Sequence, residues 1–147
     1  GRSPWDAMAY ILMIDDNPQS QRYIEKILHY RSAHEVAFAS TSPEAVESMV
    51  ARRPDLIFLD LFIPGADGLE FYQSLKAHPA TKGIPIVIHT AIPLDPLMQI
   101  RLRETNRRVH CDGFVEFPVD ASELNRVIAK ALARGSSSAR KWTPPPA

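Results

Sequence analysis

The sequence is short of cysteine, of net charge and of long apolar runs. Its one cysteine, Cys111, excludes an internal disulfide framework and fits a reducing cytoplasm. Lys plus Arg equals Asp plus Glu at 17 each, so the net charge is zero. That gives no electrostatic case for nucleic acid or an anionic membrane as partner. No apolar stretch approaches the ~20 residues of a membrane span, and no signal-peptide pattern is visible. No repeat appears beyond a strand–helix unit. These absences lead to the expectation of a cytoplasmic domain that binds neither nucleic acid nor membrane.

What is present is ordinary in bulk. The chain has 147 residues, 45% of them apolar and 23% charged, enough for one domain with its own core. Residues 1–8 lack periodicity and read as a loose arm. Residues 9–134 form the expected domain. Residues 135–147 open with Gly135-Ser136-Ser137-Ser138 and end in Pro144-Pro145-Pro146-Ala147, which reads as linker or tail. Gly135 sits where a glycine would cap the preceding helix.

Between the ends, strand and helix patterns alternate five times. Apolar runs lie at 10–14, 35–39, 56–59, 84–90 and 113–116. Asn17-Pro18, Ser42-Pro43, Asp67-Gly68 and Asp120 with Glu123 supply helix starts. The apolar stripes behind them are Ile24, Ile27 and Leu28; Ala45, Val46, Met49 and Val50; Leu69, Tyr72 and Leu75; Leu97, Ile100 and Leu102; and Leu124, Val127, Ile128, Ala131 and Leu132. The fourth helix is the poorest. It follows Ile92-Pro93-Leu94-Asp95-Pro96, whose two prolines mark a late start and irregular backbone. Alternating strands and helices imply right-handed crossovers and a parallel sheet covered on both faces. Near-continuous apolar strands agree with that burial.

Three strands end in polar groups: Asp15-Asp16, Asp60 and Thr90. In one parallel sheet these meet along the carboxyl edge, where open α/β sheets bind ligands. His89 neighbours Thr90, but strand alternation points the two to opposite faces, so the sequence gives no reason to add it to the site.

The order Asp15-Asp16, Asp60, Pro64, Gly68, Thr90-Ala91, Phe114 and Pro118 resembles the receiver domain of two-component response regulators, over about 10–134. The resemblance implies an α/β fold with a five-stranded parallel sheet of order 2-1-3-4-5, flanked by five helices. It implies Asp60 as phosphoacceptor, since a carboxylate can attack phosphorus and form an acyl phosphate. Asp15, Asp16, Asp60 and the backbone carbonyl of Phe62 would hold Mg²⁺, a hard cation that prefers oxygen. Thr90 would bind a phosphoryl oxygen, and Thr90 and Phe114 would act as the switch. The implied partners are a histidine kinase or phosphotransfer protein, an output domain or downstream protein on the helix 4–strand 5–helix 5 face, and a second copy of the chain. The implied chemistry is at most phosphorylation and dephosphorylation of Asp60 itself, not turnover.

One departure stands out. Phe117 occupies the place of the family's lysine before Pro118, and supplies neither charge nor hydrogen-bond donor. The alternative is therefore a receiver that works without phosphorylation, as a docking module. An aspartate at a strand end with Mg²⁺ also serves phosphohydrolases, but these need a second aspartate two residues on. That position is Phe62, and no cap domain is apparent. Phe62 and Ile92 lie two residues beyond Asp60 and Thr90, where apolar bulk would hinder an attacking water and prolong an aspartyl phosphate. Phe117 reads as a core aromatic, and Cys111 as an inert loop residue. Arg101, Arg103, Arg107 and Arg108 read as a solvated basic face, with docking of an acidic partner as the sharper option.

Overall fold

The computed structural model describes residues 8–31, 34–90, 94–108 and 112–139. Ile92, Cys111 and most of both expected terminal segments lie outside these residues. Five strands alternate with five helices: β1 (Tyr10–Ile14), α1 (Pro18–Arg31), β2 (Glu35–Ala39), α2 (Ser42–Ala51), β3 (Leu56–Asp60), α3 (Gly68–Ala77), β4 (Ile86–Thr90), α4 (Pro96–Arg108), β5 (Gly113–Glu116) and α5 (Ala121–Ala139). The strands form one parallel sheet of order β2-β1-β3-β4-β5. β4 begins two residues later than the apolar run, because Pro85 has no N–H to give a ladder.

Each strand sends alternate residues to opposite faces, and two cores follow. Leu12, Ile14, Ile57, Leu59, Ile86 and Ile88 pack with Ala45, Leu69, Tyr72 and Leu75, the face of α2 and α3. Ile11, Met13, Leu56, Phe58, Val87 and Val115 pack with Ile24, Leu28, Leu124, Ile128 and Ala131, the face of α1 and α5. This alternation decides which strand-end side chains share a site.

The helix starts obey local chemistry. Asn17 Oδ1 accepts the N–H groups of Gln19 and Ser20 at 2.9 and 3.4 Å. Asp67 Oδ1 accepts those of Leu69 and Glu70 at 3.0 and 3.2 Å, and Asp120 Oδ1 accepts that of Glu123 at 2.8 Å.

Four expectations need correction. The cap of α2 is Thr41, not Ser42: Thr41 Oγ1 accepts the Glu44 N–H, and proline then sits inside the first turn. In the same helix Ala45 is buried and Met49 packs inward, but Val46 and Val50 are exposed. In α4, Leu97 and Ile100 are 68% and 46% exposed; the inward face is Met98, Leu102 and Thr105. Gly135 does not end α5, which runs on to Ala139. A Cβ on Gly135 would lie 2.6 Å from Pro85 Cγ, so this glycine serves close approach to Pro85 rather than termination.

Candidate functional site

β1 and β3 lie side by side, with Met13 level with Phe58 and Ile14 with Leu59, so their carboxyl ends point to the same edge. Asp15 follows Met13 in parity, and Asp60 follows Phe58. Both carboxylates therefore belong to the α1–α5 side of the sheet. Across the next ladder Asp60 is level with His89, whose neighbour in parity, Val87, lies in the same core. Ligand atoms of Asp15, Asp60 and His89 fall within 4.8 Å of one another.

Asp15 is 1% exposed. Its Oδ1 accepts the Asn17 N–H at 2.7 Å, which ties it to the start of α1, and its Oδ2 lies 2.9 Å from His89 Nε2. Asp60 is half-buried, and its Oδ1 accepts the Phe62 N–H at 2.9 Å. Burial pushes the Asp60 carboxyl above the ordinary aspartate range; the Phe62 N–H and His89 oppose this, while Asp15 and Asp16 add to it. Asp16 is exposed, outside the tight group yet close enough to act on Asp60.

His89 corrects the sequence reading. His89 and Thr90 do face opposite sides, as alternation requires. The assumption that failed is which side bears the acids. Thr90 is buried on the α2–α3 side with Ile86 and Ile88. Phe114 is half-buried on that side, level with Ile88 and packed against the same core as Leu94, Met98 and Leu102. The Phe62 side chain is 36% exposed.

Phe117 is an aromatic of the α1–α5 core, as expected. Its ring lies 5.1 Å from His89 and 6.4 Å from Phe58, and Tyr23 meets it edge-on at 6.2 Å. The Phe117–Pro118 peptide is cis, and the Tyr23 hydroxyl donates to the Val119 carbonyl just beyond it. The basic cluster near α4 is partly engaged, since Arg101 pairs with Asp67 at 2.8 Å.

A doubly wound sheet of this order, with clustered acids at its carboxyl edge, defines a flavodoxin-like α/β module. The response regulator receiver domain model matches residues 11–129, and the chain belongs to that family. It is 36% identical to the phosphate regulon transcriptional regulatory protein PhoB of Pseudomonas aeruginosa over 128 residues, covering 84% of this chain and 52% of that protein. It is 27% identical to response regulator Rre1 of Synechocystis, covering 87% of this chain and 53% of that protein. The chain thus spans about half the length of these relatives. A receiver domain of a Pseudomonas aeruginosa sensor histidine kinase, solved with a magnesium ion coordinated in its active-site cleft, superposes with a TM-score of 0.71 at 26% identity, over 86% of this chain and 99% of that one. The receiver domain of a Syntrophus aciditrophicus histidine kinase gives 0.74 at 26% identity, over 85% and 90%.

Proposed function

We propose that the domain accepts a phosphoryl group on Asp60 from a histidine kinase or phosphotransfer protein, with Mg²⁺ beside it, in the cytoplasm. The observation that supports this most is the half-buried Asp60 carboxylate, fixed by the Phe62 N–H, within 4.8 Å of Asp15 and His89 at the sheet edge. An Asp60 oxygen attacks phosphorus, the bond from phosphorus to the donor's nitrogen or oxygen breaks, and the leaving group keeps the electron pair. The Phe62 N–H occupies Oδ1, which leaves Oδ2 to attack.

Asp15, Asp16, Asp60 and the Phe62 carbonyl would hold the cation. Oxygen donors with few direct carboxylates suit Mg²⁺, and its charge offsets that of the acids and the phosphoryl group. Thr90 would contact a phosphoryl oxygen. Phe114, on the same sheet face and packed against the same core as Met98 and Leu102 of α4, would carry the change to the α4–β5–α5 surface, where Leu97 and Ile100 are exposed. That surface would dock an output domain, a downstream protein or a second copy.

Phe117 supports a second reading, in which the same surface docks partners without phosphorylation. Incubation with acetyl phosphate and Mg²⁺, followed by intact mass, separates the two. The wild type should gain the mass of one phosphoryl group and Asp60→Asn should not. No gain in either favours the docking module, and turnover of a phosphate ester would favour a phosphohydrolase.

A further inference from the structure

His89 is 1% exposed, and its two nitrogens meet different surroundings. Nδ1 is buried without a hydrogen-bond partner among the described residues. The ring lies in a corner made by Phe58, 4.6 Å away at 31°, and Phe117, 5.1 Å away at 54°, whose own centroids are 6.4 Å apart. Both rings pack against the imidazole, and Nε2 is the end that faces the acids. Nε2 lies 2.9 Å from Asp15 Oδ2. An ionised carboxylate only accepts, so the hydrogen is on Nε2.

A phosphoryl group on Asp60 adds negative charge at a site already holding Asp15 and Asp16. Of the described side chains that act on the Asp60 carboxylate, His89 is the one that favours its anionic form. Phe117 has no donor, but it packs against the imidazole that carries one. We propose that His89 is the side-chain donor that holds the transferred phosphoryl group, its Nε2–H passing from Asp15 to a phosphoryl oxygen on Asp60. The role needs only a hydrogen on Nε2. It also gives Phe117 a purpose: the aromatic replaces a donor of its own by placing the donor of its neighbour. The inference rests on Asp60 being the phosphoacceptor.

The competing role for His89 is a nitrogen ligand of the cation, and the test separates the two. The full chain and its variants His89→Leu, His89→Gln and His89→Leu/Phe117→Lys are compared in phosphorylation rate with acetyl phosphate, read by intact mass, and in Mg²⁺ affinity, read by calorimetry. Loss of one donor to an anion should slow His89→Leu about 10- to 100-fold, with Mg²⁺ affinity undiminished. His89→Gln keeps a side-chain N–H and should recover much of the rate. Phe117→Lys brings an ammonium from the neighbouring strand end and should rescue His89→Leu. Wild-type rates in His89→Leu, no recovery in either rescue, or slowing that only tracks weaker Mg²⁺ binding would overturn the proposal.

A measurement without substitution guards against misfolding of His89→Leu. In the wild type, beryllofluoride with Mg²⁺ should shift the His89 Nε2 NMR resonance, and an unmoved resonance overturns the proposal. Wild type that takes up neither phosphoryl group nor beryllofluoride defeats the phosphoacceptor reading as well. Wild type that is phosphorylated while His89→Leu matches it defeats the role of His89 alone.

Discussion

A Cβ on Gly68 would lie 2.1 Å from the Leu61 carbonyl oxygen, in the turn that leads away from Asp60. That atom is backbone, so no side-chain rotation relieves the clash, and either the turn or the first residue of α3 has to move. Gly68→Ala should therefore cost about 1–3 kcal/mol, the usual scale of overpacking, measured by urea unfolding; a loss below the error of that measurement would show the turn to be pliant. Asp60 behaves in the opposite sense. Its carboxyl is raised chiefly by burial, so ionisation costs stability as pH climbs from the ordinary aspartate range through the higher folded value. In chelator at neutral pH, Asp60→Asn should melt above wild type, by about 1 kcal/mol on the scale of point substitutions. An equal or lower melting temperature would contradict the desolvation argument. At this scale the sequence was legible where chemistry alone named the residue: Asp15 and Asp60 are acids that end strands. His89 was not legible, because its side depends on whether β3 and β4 end level. The Asp60–His89 register is a property of two strands together.

The elements were legible to the degree that their signals are local. Strands β1, β2 and β5 coincide with their apolar runs, although of these only β1 is buried throughout and the edge strands β2 and β5 are partly exposed. The caps at Asn17, Asp67 and Asp120 are carried by side chains within three residues of the N–H groups they satisfy. Helices α2 and α4 were misread in orientation, because apolar residues on both sides of each axis make a stripe ambiguous. Val50 is 83% exposed and Leu97 68%, and only packing against the sheet decides that. Asp67 gives a prediction at this scale, since it caps α3 and pairs with Arg101 of α4. The Arg101 hydrogen bond, with help from the helix N–H groups and opposed by burial, holds its carboxyl below the ordinary range. An acid with a depressed folded value stabilises above its unfolded value and loses that contribution as pH falls through the folded one. Asp67→Ala should cost about 1 kcal/mol at pH 7, mostly the cap. Asp67→Asn keeps a capping oxygen and should cost less, and its deficit should shrink once pH falls below the ordinary aspartate range. An Asp67→Asn deficit independent of pH would mean that charge plays no part.

The whole molecule gathers its acids by folding. Asp15 and Asp60 are 45 positions apart in sequence and come within 4.8 Å only when β1 and β3 pair. A cation that needs several of these oxygens has little to bind in the unfolded chain, so binding is linked to global stability. Added Mg²⁺ should raise the melting temperature of wild type, by an amount equivalent to about 2.7 kcal/mol when its concentration reaches 100 times Kd. Screening by salt would also ease the repulsion among Asp15, Asp16 and Asp60, but a monovalent salt acts on exposed pairs and only weakly on buried ones. Sodium chloride at matched ionic strength should therefore reproduce only a small part of the shift. Asp60→Asn has lost a charge the cation would bind, so its gain from Mg²⁺ should be well below that of wild type. The order of stabilities should then invert: the variant melts higher in chelator, and the wild type overtakes it as Mg²⁺ is raised. Parallel curves, with the variant gaining as much as wild type, would place the cation elsewhere and remove Asp60 from its coordination.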